Sequence, residues 1–249
     1  MTLSTLNVSD VFQKIADQQG ISIVVEGIDD VCYGLVVTAD KSLVNILTQH
    51  RQPYNYQIID GVPIRVVRRA INSDLVIDYN ITQTECIVRG NGPAVTFQRV
   101  DISQLPRQVE IQYTDPDRDY ATTTQIARHT AAPTTTVVAT AALDFVISGT
   151  DARKMAFDML YRAWAQQLSV VFEHGDITIE PGDVVKLTCD QGTFTVLVNE
   201  ATYTKARTIL VTASVLLASS EITIAPGVAY SHATGQTAVD GAAAQLTSL

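Results

Sequence analysis

An α+β fold is predicted: a small αββαββ domain, then strand-rich antiparallel β-barrel or sandwich domains carrying one long amphipathic helix. Three observations predict it. Apolar residues recur at helical spacing in only a few stretches, and elsewhere they alternate or run over strand lengths. Turn formers such as Asp60-Gly61 and Pro181-Gly182 separate those runs. The 249 residues, 46% hydrophobic and 17% charged, suffice for two packed cores and exclude a solvated disordered chain. The expected division is 1–69 for the small domain, 70–224 for the strand-rich region with its helix at 150–167, and 225–249 for an Ala-, Gly- and Thr-rich linker or tail.

In "NVSDVFQKIADQQG", Val8, Val11, Phe12, Ile15 and Ala16 share a helical face, Asn7 or Ser9 can cap the start, and Gly20 suits a left-handed exit. Two strands follow, "ISIVVEG" and "VCYGLVV". The second helix fits "DKSLVNILTQH", with Asp40 near its start and Leu43, Ile46 and Leu47 inward. A hairpin around Asp60-Gly61 closes the domain. From Ala70 the pattern turns to strands, "SDLVIDYNI", "ECIVRG", "AVTFQRVDI", "RQVEIQYTD" and "TTTVVATAALDFVI". The helix "TDARKMAFDMLYRAWAQQ" interrupts them, with Met155, Ala156, Met159, Leu160, Ala163 and Trp164 as its apolar stripe and Thr150 or Asp151 as its cap. Five more strands follow, with turns at Pro181-Gly182-Asp183 and Asp190-Gln191-Gly192.

The balance of 17 basic against 26 acidic residues, a formal charge of -9, disfavours nucleic-acid recognition, which needs clustered Lys and Arg. Cys32, Cys86 and Cys189 are odd in number and far apart, which argues against a disulfide framework or a zinc site. No secretory leader and no membrane span is expected, so a soluble protein made in the cytosol follows.

"YTDPDRDY" poses the main chemical question. Asp115, Asp117 and Asp119 match the first three ligands of a calcium loop, but the sixth position is Tyr120 instead of glycine and the twelfth is Ile126 instead of glutamate. The simpler reading is a strand, Val109-Ile111-Tyr113, ended by Asp115-Pro116, with carboxylates accepting local backbone bonds in a solvated turn. A glycosidase pair would need two carboxyls facing one cleft, and Glu180 with Asp183 reads better as a polar turn. His50, His129, His174 and His232 show no metal spacing; His50 suits a helix-dipole contact and His129 a solvated link. No nucleophile elbow or phosphate loop occurs, so neither a catalytic set nor a cofactor is expected.

Taken in order, "LPRQVEIQYTDPDRDY", a Val-rich strand, "ARKMAFDMLYRAW" and "ITIEPGDVVKLT" resemble the tail-tip or baseplate-hub proteins of tailed bacteriophages and gene transfer agents. The resemblance covers about residues 8–225. Its D-P-x-x-x-Y turn falls on Asp115, Pro116 and Tyr120, and its P-G-D turn on Pro181, Gly182 and Asp183. "VFQKIADQQGISIVV" and "KSLVNILTQHRQPYNYQIIDGVPIRVV" also look like the small α/β domain at the N-termini of secretins. The resemblance implies a non-enzymatic structural protein of the virion tail tip, forming a homo-oligomeric ring, a trimer, around the tail channel. Distal tail, tape-measure and receptor-binding proteins would be its partners. It carries over no catalytic, cofactor or metal residue. A secretion or envelope binding module and a carbohydrate-active enzyme are the competing readings.

Overall fold

The structure, a computed structural model, describes residues 5–36, 41–69, 77–88, 90–129, 135–216, 229–230 and 237–238. The chain forms two compact units that interleave along the sequence: Met1–Arg69, Pro106–Tyr161 and Ile224–Leu249 in the first, Ala70–Leu105 and Arg162–Thr223 in the second.

The first unit opens with β1 (Leu6–Asn7), α1 (Val8–Gln19), β2 (Ile23–Glu26), β3 (Val31–Cys32), β4 (Gly34–Leu35), α2 (Leu43–His50), β5 (Tyr56–Ile59) and β6 (Ile64–Arg68). The second unit then takes β7 (Tyr79–Thr82) and β8 (Val95–Arg99). The chain returns for β9 (Gln108–Asp115), β10 (Ala121–Arg128), β11 (Val138–Val146) and α3 (Gly149–Ala165), which leads back to β12 (Leu168–His174), β13 (Val184–Cys189), β14 (Gly192–Tyr203) and β15 (Ile209–Val215). Last come β16 (Ala229–Tyr230) and β17 (Thr237–Ala238), again with the first unit.

In α1, Val8, Phe12 and Ala16 are buried, and Gly20 at φ 68° lets the chain leave, its N–H donating to the carbonyls of Ala16 and Asp17. Asn7 stands at the N-cap without a side-chain bond. The cap of α2 is Ser42, whose Oγ accepts from the Asn45 amide at 3.3 Å; Asp40 lies outside the described residues. β2 runs parallel to β6, and β5 pairs antiparallel with β6 across the Asp60-Gly61 turn, as the hairpin signal predicts. The segment "VCYGLVV" departs from the αββαββ expectation, because it splits into β3, paired with β1, and β4, paired with β11. The backbone bonds give the reason: the Tyr33 amide donates to the Val146 carbonyl at 2.8 Å and the Val36 amide to Asp144 at 2.7 Å, so the long β11 satisfies donors that the four-residue β2 leaves over.

An aromatic cluster joins these helices to β11. Phe12 meets Tyr56 and Phe145 edge-on at 5.7 and 5.8 Å, and Tyr54 meets Phe145 at 5.4 Å. Phe145 is therefore the anchor of the α/β layer. Beyond it the first unit's sheet has the order β17-β16-β10-β9-β11-β4, with β9 and β11 parallel.

The second unit is one six-stranded sheet of order β7-β13-β14-β15-β12-β8. One face packs Val170, Phe172, Val185, Leu187, Val196, Val198, Val211 and Ala213 into a continuous core with Ile179. The other carries a smaller cluster of Val184, Leu197 and Leu216. The turn expected at Asp190-Gln191-Gly192 forms over Asp190-Gln191, with Gly192 already in β14 opposite Cys189. The expected barrel is not formed. Among the described residues both six-stranded sheets are open, and the β13–β7 pair is parallel. Closure would require end strands β7 and β8 to pair with each other, whereas β7 bonds only β13 and β8 only β12.

Candidate functional site

Strand β9 alternates inward and outward, burying Val109, Ile111 and Tyr113. The next inward position is Asp115. It is only 4% exposed, whereas Asp117, Arg118, Asp119 and Tyr120 are exposed. The solvated turn expected for all three carboxylates is thus corrected at Asp115, because strand periodicity outweighs side-chain type there. Its Oδ1 accepts from the Asp117 amide at 3.0 Å, capping the 3-10 turn Pro116–Arg118 with proline at the first position. Its Oδ2 lies 3.3 Å from the Tyr113 hydroxyl, which donates to it, and 3.7 Å from Nε of Arg118. Gln125 of β10 donates to the same Tyr113 oxygen at 3.3 Å.

This polar group lies at the start of α3. A Cβ placed on Gly149 would stand 3.1 Å from the Tyr113 hydroxyl and 3.8 Å from Asp115 Oδ2. A side chain at 149 would therefore need the Tyr113 hydroxyl to give by a few tenths of an ångström. The positive end of α3 therefore faces a buried carboxylate, a favourable arrangement. The helix is capped by Ser148, whose Oγ accepts from the Asp151 amide at 3.1 Å, and not by Thr150 or Asp151 as expected. The reason is that α3 begins at Gly149, earlier than the predicted start. Burial also raises the Tyr113 phenol above its ordinary range. After the turn, Asp119 and Tyr120 both adopt left-handed backbone, φ 51° and 59°, and Tyr120 is 53% exposed.

The Pro181-Gly182-Asp183 turn belongs to the second unit. Asp183 Oδ2 accepts from the Glu180 amide at 2.7 Å, the Gly182 amide donates to the Val198 carbonyl at 2.8 Å, and the Val198 amide donates to Asp183 at 2.9 Å. Gly182 has φ 108°. The turn opens β13 and is pinned to β14 beside its register shift between Val198 and Glu200. The Asp183 carboxylate is thus engaged in holding a turn, and Asp115 and Asp183 lie in different units.

One histidine differs from expectation: His129 is buried, not solvated, and burial lowers its imidazole. His50 stands in the last turn of α2, the helix end expected of it, with Nδ1 against the Ile46 carbonyl; it is buried and also bridges to β11. His174 Nδ1 accepts from the Asp176 amide at 3.0 Å, and His232 lies outside the described residues. Trp164 is half-buried on α3. Among the described residues no three His, Cys, Asp or Glu side chains gather as metal ligands, and no helix is long and apolar enough to cross a membrane.

One surface was missed in the sequence. Among the described residues β4 covers β11 only at Phe145 and Val146, and Val138–Ala142 have no strand partner on that side. The Val137 carbonyl turns toward β9, accepting from Arg107, and the Ala142 carbonyl turns away, accepting from Gln49 Nε2 at 2.9 Å. Alternation then aims the N–H and C=O groups of Val138 and Thr140 outward. Val138 is 48% exposed, and residues 135–143 carry no charge or proline, the usual devices for blunting an edge. A cavity of about 230 Å³ on the same strands is lined by Glu110, Gln112, Thr124, Thr140, Ala141 and Ala142.

Comparison with known proteins follows the same lines. The family described as "Putative phage tail protein" matches residues 63–201, more than half of the chain. The fold is similar to a chain in the virion of the native gene transfer agent particle, with TM-score 0.74 and 16% identity over 90% of this chain and 50% of that one. It is also similar to the tail protein from Neisseria meningitidis MC58, with TM-score 0.56 and 12% identity over 87% and 68% of the two chains. The prophage MuSo2 43 kDa tail protein from Shewanella oneidensis gives TM-score 0.53 and 8% identity over 84% and 65%. The chain spans half the length of the gene transfer agent chain. No curated protein matches the sequence.

Proposed function

We propose, since the chain belongs to the phage tail family described as "Putative phage tail protein", that it is a structural component of a phage tail tip or baseplate hub. In this role it performs no catalysis. Copies form a ring, a trimer, around the tail channel, and the distal tail, tape-measure and receptor-binding proteins are the neighbours. Closed symmetry suits the task, because a ring ends a tube without open polymerisation. Residues 1–69 act as the secretin-like α/β element, and the turns at Asp115, Pro116 and Tyr120 and at Pro181, Gly182 and Asp183 are its family motifs.

The observation that carries the reading from family to role is the uncharged edge Val138–Ala142, which has no outer strand partner among the described residues. In a chain of net charge -9, it is a place where a neighbouring subunit can add main-chain bonds without opposing charge. Charged edge variants test this. Val138→Lys and Thr140→Lys should leave the far-UV spectrum and melting unchanged, the stability shift being within about 0.5 kcal/mol, while incorporation into particles in a complementation lysate falls. Folded variants incorporated as well as the wild type would refute the edge's role in assembly.

A further inference from the structure

His50 ends α2 and is fully buried against Phe145, the ring centroids 4.8 Å apart. Its Nδ1 lies 2.7 Å from the Ile46 carbonyl oxygen, and its Nε2 lies 3.1 Å from the Asp144 amide nitrogen, 94 residues away in β11. A carbonyl oxygen only accepts, so Nδ1 must carry a proton. An amide only donates, so Nε2 must keep its lone pair. One species of imidazole satisfies both partners, the neutral Nδ1–H tautomer.

We propose that His50 is an acid-sensitive joint between the α2 layer and β11, in which protonation sets a ring N–H against the Asp144 N–H and releases that contact. The charged groups facing the ring are Lys41, from the segment before α2, and Asp144, from β11, paired with each other at 2.6 Å. Tyr54 and Phe145 supply the adjoining rings. Burial holds the imidazole below its ordinary value, the Ile46 carbonyl and Asp144 oppose that shift, and Lys41 reinforces it. The sign follows: a lowered folded value gives stability that is complete above the unfolded value of about 6.5 and is lost as pH falls through the folded one. The Gln49 bond to Ala142 and the aromatic cluster do not titrate in this range, so the response is local opening and not global unfolding.

Hydrogen exchange on the full chain, corrected for intrinsic rates, tests the joint between about pH 7.5 and 5, a span that brackets the histidine range. Protection of the Asp144 amide and of α2 should fall relative to β14 and β15 as the pH is lowered, the direction that the linkage sets. His50→Gln should remove this pH dependence, and His129→Gln, at another buried histidine of the same unit, should keep it. Protection that is flat in the wild type, or that falls equally in His50→Gln, overturns the proposal. Should His50→Gln not fold, ring NMR of the wild type decides: loss of the Nδ1–H tautomer must coincide with loss of the Asp144 amide signal. Ring titration with that signal unchanged also overturns it.

Discussion

Asp115 is buried because of its place in a strand, and its chemistry has been accommodated around that place. The alternation Val109-Ile111-Tyr113 was readable in the sequence, and carrying it one step further gives Asp115. What hid the step was residue type, since an aspartate before proline ordinarily signals a solvated turn. Its partners, Gln125 and Gly149, come from elsewhere in the chain and could not be read from spacing. Asp115→Ala leaves the Asp117 amide and Tyr113 hydroxyl without their acceptor and should cost about 2 kcal/mol in urea unfolding. Asp115→Asn, which keeps an acceptor, should cost roughly half as much. Equal stability of Asp115→Ala and wild type would contradict the role. Burial, with Glu85 and Cys189 nearby, pushes the Cys86 thiol up to about 11. Its thiolate fraction at pH 8 is then on the order of one in a thousand, so alkylation in the native chain should be slow and should accelerate in denaturant.

At the scale of elements, helices were legible; α1 starts after Asn7, one of the two caps offered, whereas the start of α3 differs from the one expected. Of the predicted stripe Met155, Ala156, Met159 and Leu160 are buried, Ala163 and Trp164 are only half-buried, and Phe157, outside it, is buried as well. The start of α3 is set by a tertiary constraint, the close approach of Gly149 to Tyr113. Gly149→Ala should therefore destabilise by about 1 kcal/mol despite the better helix propensity of alanine, because moving the Tyr113 hydroxyl aside strains its bonds to Asp115 and Gln125; unchanged stability would mean that the hydroxyl gives freely. Ser148→Ala should cost a similar amount, about 1 kcal/mol, through loss of the cap. The Pro181-Gly182-Asp183 turn was legible because its chemistry is local. Gly182→Ala at φ 108° should cost about 1–3 kcal/mol, read from denaturant unfolding; an unchanged midpoint would mean that the turn relaxes.

At the scale of the whole molecule, local signals announced the strands, but not which strands would be neighbours. The alternation in "VCYGLVV" reads the same whether its backbone bonds go to β2 or to β11. Likewise, nothing in "TTTVVATAAL" says that β9 pairs with β11 in parallel or that β4 joins its other side at Phe145 and Val146. The interleaving of two units across residues 69, 105, 161 and 223 is equally a matter of long-range pairing. The central claim, a structural place at the tail tip, is tested most directly by immunogold electron microscopy of particles from the source lysate, using antibody against this chain. The account predicts label confined to the tail tip. Intact, accessible tails without label, and the protein in host envelope fractions instead, would contradict it.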